Sequence, residues 1–405
     1  MSGEKAGKVC IVGGGPAGMM AGLLFARAGV PTTVLEKHDD FLRDFRGDTV
    51  HPSTLELFHQ LGVLDELLSL PHSRIEKIGV KIAGRDMKIV DFRKLRVAAP
   101  FIAMMPQWDL LDFIADKARR YPEFELHMST EATGVTVDSS GRVSGVRTLR
   151  GDIAANLVIA ADGRRSVLRE EAELPLEQIG APMDVFWFRL DKLEGTGGES
   201  FGVMKAGRFL VLIDRRDYLQ CAFVFKKGQA DAICARGIGA FREMLRDTAP
   251  ELAGPIETID SWDKVKLLNV ALDRLTRWHR PGLLAIGDAA HAMSPIGGVG
   301  INVAVQDAVA AANILAAPMA NGADPDPLLH RVQDKRWRAV TRMQRLQKFA
   351  QDRVIEPLLE REKPIEQPFL PVRLLNRFPR LRRLPGRIIG LGFDPVRIES
   401  PDAHG

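Results

Sequence analysis

The chain has 405 residues, 45% of them hydrophobic and 27% charged, which fits a folded, enzyme-sized protein of two domains with no low-complexity segment and no internal repeat. A formal net charge of +4 is too weak to imply nucleic acid without a localised basic patch, though it suits an anionic substrate or cofactor. Cys10, Cys221 and Cys234 are odd in number, scattered and without CxxC spacing, so a disulfide framework or zinc site is not expected and a cytoplasmic location is. No signal-peptide pattern precedes the first expected strand, and the apolar runs read as too short to span a bilayer.

Taken in order, residues 8–12 (KVCIV) form a short β-branched run, followed by Gly13-Gly14-Gly15-Pro16-Ala17-Gly18, an apolar helix ending at Gly29, and a second strand ending in Glu36. This is strand, glycine turn, helix, strand, acid. Gly13 permits the tight turn, Gly15 lets backbone approach a pyrophosphate, and Gly18 lets the helix pack on the sheet. Glu36 stands where an acid accepts from a ribose 2′-hydroxyl, which favours FAD or NAD(H) over a 2′-phosphorylated nucleotide. Arg46-Gly47-Asp48-Thr49 leads into a helical pattern that Ser53 or Thr54 is placed to cap.

Residues 75–105 alternate in short runs that predict antiparallel strands, and Gln107 opens an amphipathic helix. Residues 126–150 predict three short strands. Residues 156–162 (NLVIAAD) form another apolar strand ending in an acid, with Gly163 and Arg164 next. The stretch 183–227 is strand-rich. Within it Tyr218, Gln220, Ala222 and Val224 share one face, which reads either as a solvent face or as the lining of a ligand site; Leu219, Cys221, Phe223 and Phe225 share the other. A helix is expected over 240–252 and a strand over 262–269.

Residues 283–286 then form an apolar strand, Gly287-Asp288 places a carboxylate at its end, and Pro295, Gly297, Gly298, Val299 and Gly300 lead into a helix from Ile301 to about Leu315 that carries Asn302. Glycines at this density let backbone lie against a flat ligand, and the helix start supplies free N–H groups and a positive dipole end. A long basic amphipathic helix is expected over 328–359. The tail 371–391 carries six arginines among Leu, Ile, Phe and Pro; it reads as packing back on the body or meeting a partner, with weak peripheral membrane contact as the other reading.

The ordered set Gly13–Gly18 with Glu36, then Asp162-Gly163 (AADGRRSVLR), then GDAAHAMSPIGGVGIN over 287–302, resembles the single-component flavin-dependent aromatic monooxygenases, the para-hydroxybenzoate hydroxylase-like family with its ubiquinone-pathway and polyketide hydroxylases. The resemblance covers about residues 8–330. It implies an α/β fold: a Rossmann-like, GR2-type FAD-binding domain (1–73, 103–182 and 270–330), an inserted, mixed but largely antiparallel β-sheet substrate domain (74–102 and 183–269), and a C-terminal helical, basic region (331–405).

The resemblance also implies roles. Gly13, Gly15, Pro16, Ala17 and Gly18 would cradle the FAD pyrophosphate. Glu36 and Lys37 would lie at the adenosine ribose, and Arg46 and Gln107 at the pyrophosphate or ribityl region. Asp162 would help shape the shared FAD and nicotinamide region, Asp288 would hold a ribityl hydroxyl, and Pro295, Gly297, Gly298, Val299, Gly300, Ile301 and Asn302 would line the isoalloxazine. The implied reaction is hydroxylation of an aromatic or polyketide-like small molecule with tightly but non-covalently bound FAD, NAD(P)H as a transient reductant, and O2 delivered through a flavin C4a-hydroperoxide. Pro295, Tyr218 and Arg216 are the candidates nearest the chemistry; His51 and His291 are read as structural or ring-facing, and no metal is expected. A reductase or dehydrogenase of the same fold and a non-catalytic FAD-binding protein are the alternatives.

Overall fold

The computed structural model describes residues 7–42, 48–192, 201–215 and 217–405. Its centre is a six-stranded sheet in the spatial order His279–Arg280, Leu283–Ala285, Leu157–Ala160, Val9–Val12, Thr32–Leu35, Phe124–His127. All neighbours run parallel except the edge strand His279–Arg280. Parallel strands are covered on both faces, so they read as unbroken apolar runs, and Val9, Cys10 and Ile11 are fully excluded from water. Burial of each Val or Ile side chain here contributes about 1.5–3 kcal/mol.

The helices Pro16–Arg27 and Gly300–Ala320 pack on each other in this core, which is why Ala17 through Ala26 are buried without a polar face. The second of these helices runs five residues beyond the expected end at Leu315. The expectation about apolar runs is also corrected: residues 296–320 are long and apolar enough to cross a membrane by length and composition, but 78% of the apolar 18-residue window within them is buried against the rest of the chain. A core helix and a membrane span satisfy the same composition.

The second large sheet has seven strands, in the order Lys266–Leu268, Met183–Asp191, Tyr218–Lys226, Arg208–Asp214, Phe201–Lys205, Lys77–Ile82, Arg85–Asp91. It is antiparallel apart from the pairing of Phe201–Lys205 with Lys77–Ile82, as the alternation in these segments predicts. One face buries Phe186, Phe188, Phe223 and Phe225 against the helix Gly237–Thr248, with Phe223 and Phe241 meeting edge-on at 5.5 Å between ring centres. The opposite face is not open to solvent. Ala222 and Val224 pack with Met183, Val185 and Ile355, and Gln220 is buried too. A distant C-terminal segment covers what strand periodicity alone left free.

Two local expectations are corrected. The helix Pro52–Gln60 is preceded by His51 at its N-cap, and neither Ser53 nor Thr54 caps it; Pro52 takes the first turn instead. Residues 262–269 contribute only the strand Lys266–Leu268, after a short helical turn Trp262–Lys264. The basic helix spans Leu329–Ala350 and continues through a wide turn into Glu356–Leu359. The tail forms the helices Leu370–Arg377 and Arg383–Leu391, which pack on the hairpin of residues 77–91.

Candidate functional site

The three motifs singled out in the sequence lie at the carboxyl ends of three adjacent parallel strands, where open α/β sheets bind ligands. Val9–Val12 delivers Gly13–Gly18, Leu157–Ala160 delivers Asp162 to Arg164, and Leu283–Ala285 delivers Gly287-Asp288. Gly13 sits at φ +107°, and a Cβ there would lie 2.3 Å from the Ala161 carbonyl oxygen. A Cβ on Gly18 would lie 1.9 Å from the Gly13 oxygen, so this glycine is set by the closeness of helix and turn.

Gly15 and Gly300 differ. Gly15 has φ −76° and ψ −177°, which any residue adopts, and no heavy atom lies within 4 Å of its virtual Cβ. Gly300 likewise begins its helix with no neighbour within 4 Å. Neither backbone strain nor packing requires a glycine at these two positions, and both leave bare backbone open at the start of a helix.

The carboxylate of Glu36 is buried at the end of Thr32–Leu35. It accepts from Gly14 N at 3.0 Å and His38 N at 3.1 Å, so it holds the glycine turn in shape. Lys37 next to it is exposed. Gln107 starts the helix Gln107–Ala118, and its N–H donates to Asp48 Oδ1 at 3.2 Å. Burial pushes the Asp162 carboxyl up from its ordinary value, against the Ser166 hydroxyl and the Leu168 N–H. Its Oδ1 is buried and has no hydrogen-bond partner among the described residues.

Asp288 meets Arg164 at 3.1 Å, each side chain about one-third exposed (35% and 34%), which joins the second and third loops across adjacent strands. Arg169 reinforces this junction by donating to Ala289 O at 3.3 Å and Arg164 O at 2.8 Å.

Pro295 to Asn302 is clamped on two sides. Thr49 Oγ1 donates to Gly298 O at 2.8 Å, while Asn302 Oδ1 accepts from His51 N at 3.0 Å and Thr54 Oγ1 at 2.7 Å. Asn302 Nδ2 is buried without a partner among the described residues. Gly298, at φ +63°, faces Thr49, whose Oγ1 would be 3.0 Å from an added Cβ. Behind the loop, Gln347 Nε2 donates to Ser294 O at 2.9 Å and Ile296 O at 3.0 Å, and Gln351 Nε2 donates to Ser294 Oγ at 2.9 Å. Val299, Ile301 and Asn302 are buried; Gly297, at φ +80°, approaches Ile389.

Beneath the third loop lies a fully buried cluster. Asp307 accepts from Gly287 N at 3.1 Å and Arg336 Nε at 2.8 Å, and its Oδ2 is 2.6 Å from His291 Nε2. Burial alone would push its carboxyl up, but His291 and Arg336 outweigh this and hold it below the ordinary carboxylate value. Arg164, Asp307, Arg336, Gln347 and Gln351 were not singled out from sequence. For the last three the available signal is a row of polar residues on the inward stripe of an otherwise amphipathic helix.

Arg46 and Arg216 lie outside the described residues. Tyr218 is half-buried, and the Arg189 guanidinium lies 3.7 Å over its ring centre. Among the described residues no hydrogen bond joins Tyr218 to the 295–302 loop. Its neighbour Arg215 does cross over: it donates to Gln220 Oε1 at 2.7 Å and pairs with Asp48 beside the strand Thr49–Val50. This ties the seven-stranded sheet to the segment that grips Gly298.

The donor set fits FAD. Two turns present helix N-termini and unexplained glycines, an acid closes the second strand, and partnerless polar atoms of Asp162 and Asn302 are buried in the loops concerned. A family profile described as "FAD binding domain" matches residues 6–347. The 6-methylpretetramide 4-monooxygenase of Streptomyces rimosus is 33% identical over 315 residues, spanning 76% of this chain and 74% of that protein. Among solved structures, Pseudomonas aeruginosa PqsL in complex with 2-aminobenzoylacetate superposes with TM-score 0.77 at 20% identity, over 87% of this chain and 98% of that one. The tetrameric form of 2-methyl-3-hydroxypyridine-5-carboxylic acid oxygenase superposes with TM-score 0.71 at 19% identity, over 94% and 98%. At these identities the two structures speak to the fold.

Proposed function

The chain belongs to the FAD-binding-domain family of flavin-dependent monooxygenases, and from that premise we propose that it hydroxylates an electron-rich aromatic, polyketide-like small molecule with NAD(P)H and O2. The substrate class rests on the Streptomyces relative, a 6-methylpretetramide 4-monooxygenase. The observation that carries the site assignment is the pair Gly15 and Gly300, glycines that protein packing does not require, in loops that meet where a Gly287 Cβ would come within 3.0 Å of Ala17.

FAD, when bound, supplies the redox chemistry: hydride acceptance from NAD(P)H and activation of O2. The residues of this chain would do the rest. Gly15, Ala17 and Gly18 would offer free backbone N–H groups at the start of the helix Pro16–Arg27 to the diphosphate, while Gly13, whose N–H donates to Leu35 O, shapes the turn and Pro16, which has no N–H, opens the helix against the cofactor. Glu36 accepts from the adenosine ribose, with Lys37, Arg46, Gln107 and Asp162 assigned to the same cofactor and Asp288 to the ribityl chain. Pro295, Gly297, Gly298, Val299, Gly300, Ile301 and Asn302 line the ring system, and the start of Gly300–Ala320 stabilises negative charge there. The clamp from Thr49, Gln347 and Gln351 fixes those N–H groups before reaction, so that little reorganisation is needed.

Residues 74–102 and 183–269 form the proposed substrate domain, with 1–73, 103–182 and 270–330 holding the cofactor and 331–405 as the C-terminal region. Tyr218 and Arg216 are the proposed substrate contacts and Pro295 the proposed residue nearest the reacting centre. A cytoplasmic setting accords with three unpaired cysteines, two of them buried.

The test is to purify the protein, record the flavin absorbance, and follow NAD(P)H and O2 consumption over a panel of phenols and fused-ring polyphenols. Aromatic-stimulated oxidation with a product gaining one oxygen is expected. Bound flavin that turns over only anaerobically, with no aromatic stimulation, would overturn the proposal.

A further inference from the structure

The C-terminal segment has two contrasting sides. Its inner side is seated closely: a Cβ on Gly386 would lie 2.5 Å from Asp91 O, and one on Gly390 would lie 2.9 Å from Leu95 and 3.1 Å from Phe92. Asn376 Oδ1 accepts from Lys88 N at 3.1 Å, and Ile389 O accepts from His51 Nδ1 at 2.8 Å. The segment is therefore built onto the body.

Its outer side is apolar and cationic together. Leu370 (65%), Leu374 (44%), Phe378 (50%), Leu381 (48%) and Leu384 (65%) are exposed. Between them stand Arg373, Arg377, Arg380, Arg383 and Arg387, all exposed, and none forms an ion pair with another described residue. From Gln367 to Phe393 the sequence contains no Asp or Glu. On the helix Leu370–Arg377, the pairs Leu370/Leu374 and Arg373/Arg377 repeat at four-residue spacing, so an apolar stripe runs beside a basic one.

Apart from an Arg373 hydrogen bond to Gln367 Oε1 at 3.4 Å and Arg377 lying 5.8 Å from the Phe378 ring centre, these five apolar side chains and five guanidiniums are left to solvent on one contiguous face. We propose that this face docks on an anionic bilayer surface. The leucines and Phe378 enter the headgroup boundary and the arginines engage lipid phosphates. Charge complementarity selects the occupant, because the stripe lacks any acidic residue with which a second copy of itself could pair. The mode is peripheral: the helices are short, and their inner faces are already packed on the hairpin of residues 77–91.

The experiment is flotation of the full-length flavoprotein with vesicles of phosphatidylcholine alone or with about one-third phosphatidylglycerol. Expected is co-flotation with the anionic vesicles only, reduced roughly tenfold both by high salt and by Arg377→Gln/Arg380→Gln. Phe378→Ala/Leu381→Ala, which alters exposed side chains only, should weaken flotation by a similar factor while leaving the circular dichroism spectrum unchanged. Equal binding to neutral vesicles, no binding to either, or wild-type flotation of both double variants would overturn the proposal. So would a concentration-dependent dimer that fails to float and is abolished by Phe378→Ala/Leu381→Ala, since the face would then cover a second copy.

Discussion

Arg336 reaches Asp307 at 2.8 Å, with the two side chains 1% and 0% exposed, and so pins the basic helix Leu329–Ala350 to the apolar helix Gly300–Ala320 directly beneath the Gly287 turn. The pair is a structural lock for the loop above it. Removing one partner of a buried ion pair costs about 3–5 kcal/mol, because the other charge is left uncompensated. Asp307→Asn is therefore expected to lower the chemical-denaturation free energy by that order and to reduce flavin retention. In the parent protein the Asp307 carboxyl is held below its ordinary value, so its contribution is present at neutral pH and is lost as pH falls through the depressed value. Loss of this acid-side slope in Asp307→Asn is the specific signature, and unchanged stability would refute the lock.

Two glycines only three residues apart should behave in opposite ways. A Cβ at Gly18 would overlap the Gly13 carbonyl at 1.9 Å, so Gly18→Ala is expected to disrupt folding. Gly15→Ala meets nothing within 4 Å and has ordinary dihedral angles, so the apoprotein should keep its stability within about 0.5 kcal/mol. Flavin affinity should nonetheless fall at least tenfold, about 1.4 kcal/mol. Titration of both apoproteins with FAD checks this, and normal FAD affinity in Gly15→Ala would remove Gly15 from the cradle.

The contrast also shows what sequence could convey. Runs such as 8–12 and 283–286 were readable because parallel strands buried on both faces need unbroken apolar residues, and turn glycines announce themselves by spacing. Arg336, Gln347 and Gln351 were not readable. Their partners Asp307, Ser294 and Ile296 lie far away in sequence, and on a helical wheel they look like ordinary polar residues. The face of Gln220, Ala222 and Val224 was ambiguous for the same reason: strand periodicity separates the two faces but does not say that Ile355 covers one of them.

Asp288 and Arg164 form a pair about one-third exposed, and pairs so open to solvent contribute about 0–1 kcal/mol to folding. Asp288→Ala should therefore leave unfolding nearly unchanged while lowering the flavin-to-protein absorbance ratio after gel filtration. Arg164→Ala should keep more flavin than Asp288→Ala, because the carboxylate that serves the cofactor remains. Stoichiometric flavin in Asp288→Ala would contradict the ribityl assignment.

Asp48 and His51 flank the strand Thr49–Val50 that grips Gly298, and they titrate in opposing senses. Burial pushes the His51 imidazole down from 6.5 to about 4, against the pull of the Ile389 and Gly298 backbone. Stability from the neutral ring is complete above 6.5 and is lost as pH falls toward 4, a change of about 3 kcal/mol. Burial pushes the Asp48 carboxyl up from 3.8 to about 6 despite Arg215. Its contribution is complete below 3.8 and is lost as pH rises through 6. The slopes oppose each other across one window, so the parent protein should show little pH dependence there from this segment. His51→Asn should unmask stability that declines as pH rises from 3.8 to 6. Asp48→Asn should unmask stability that climbs as pH rises from 4 to 6.5. Denaturation midpoints of the apoproteins across this range measure both slopes, and two profiles parallel to the parent's would show that neither group titrates as described.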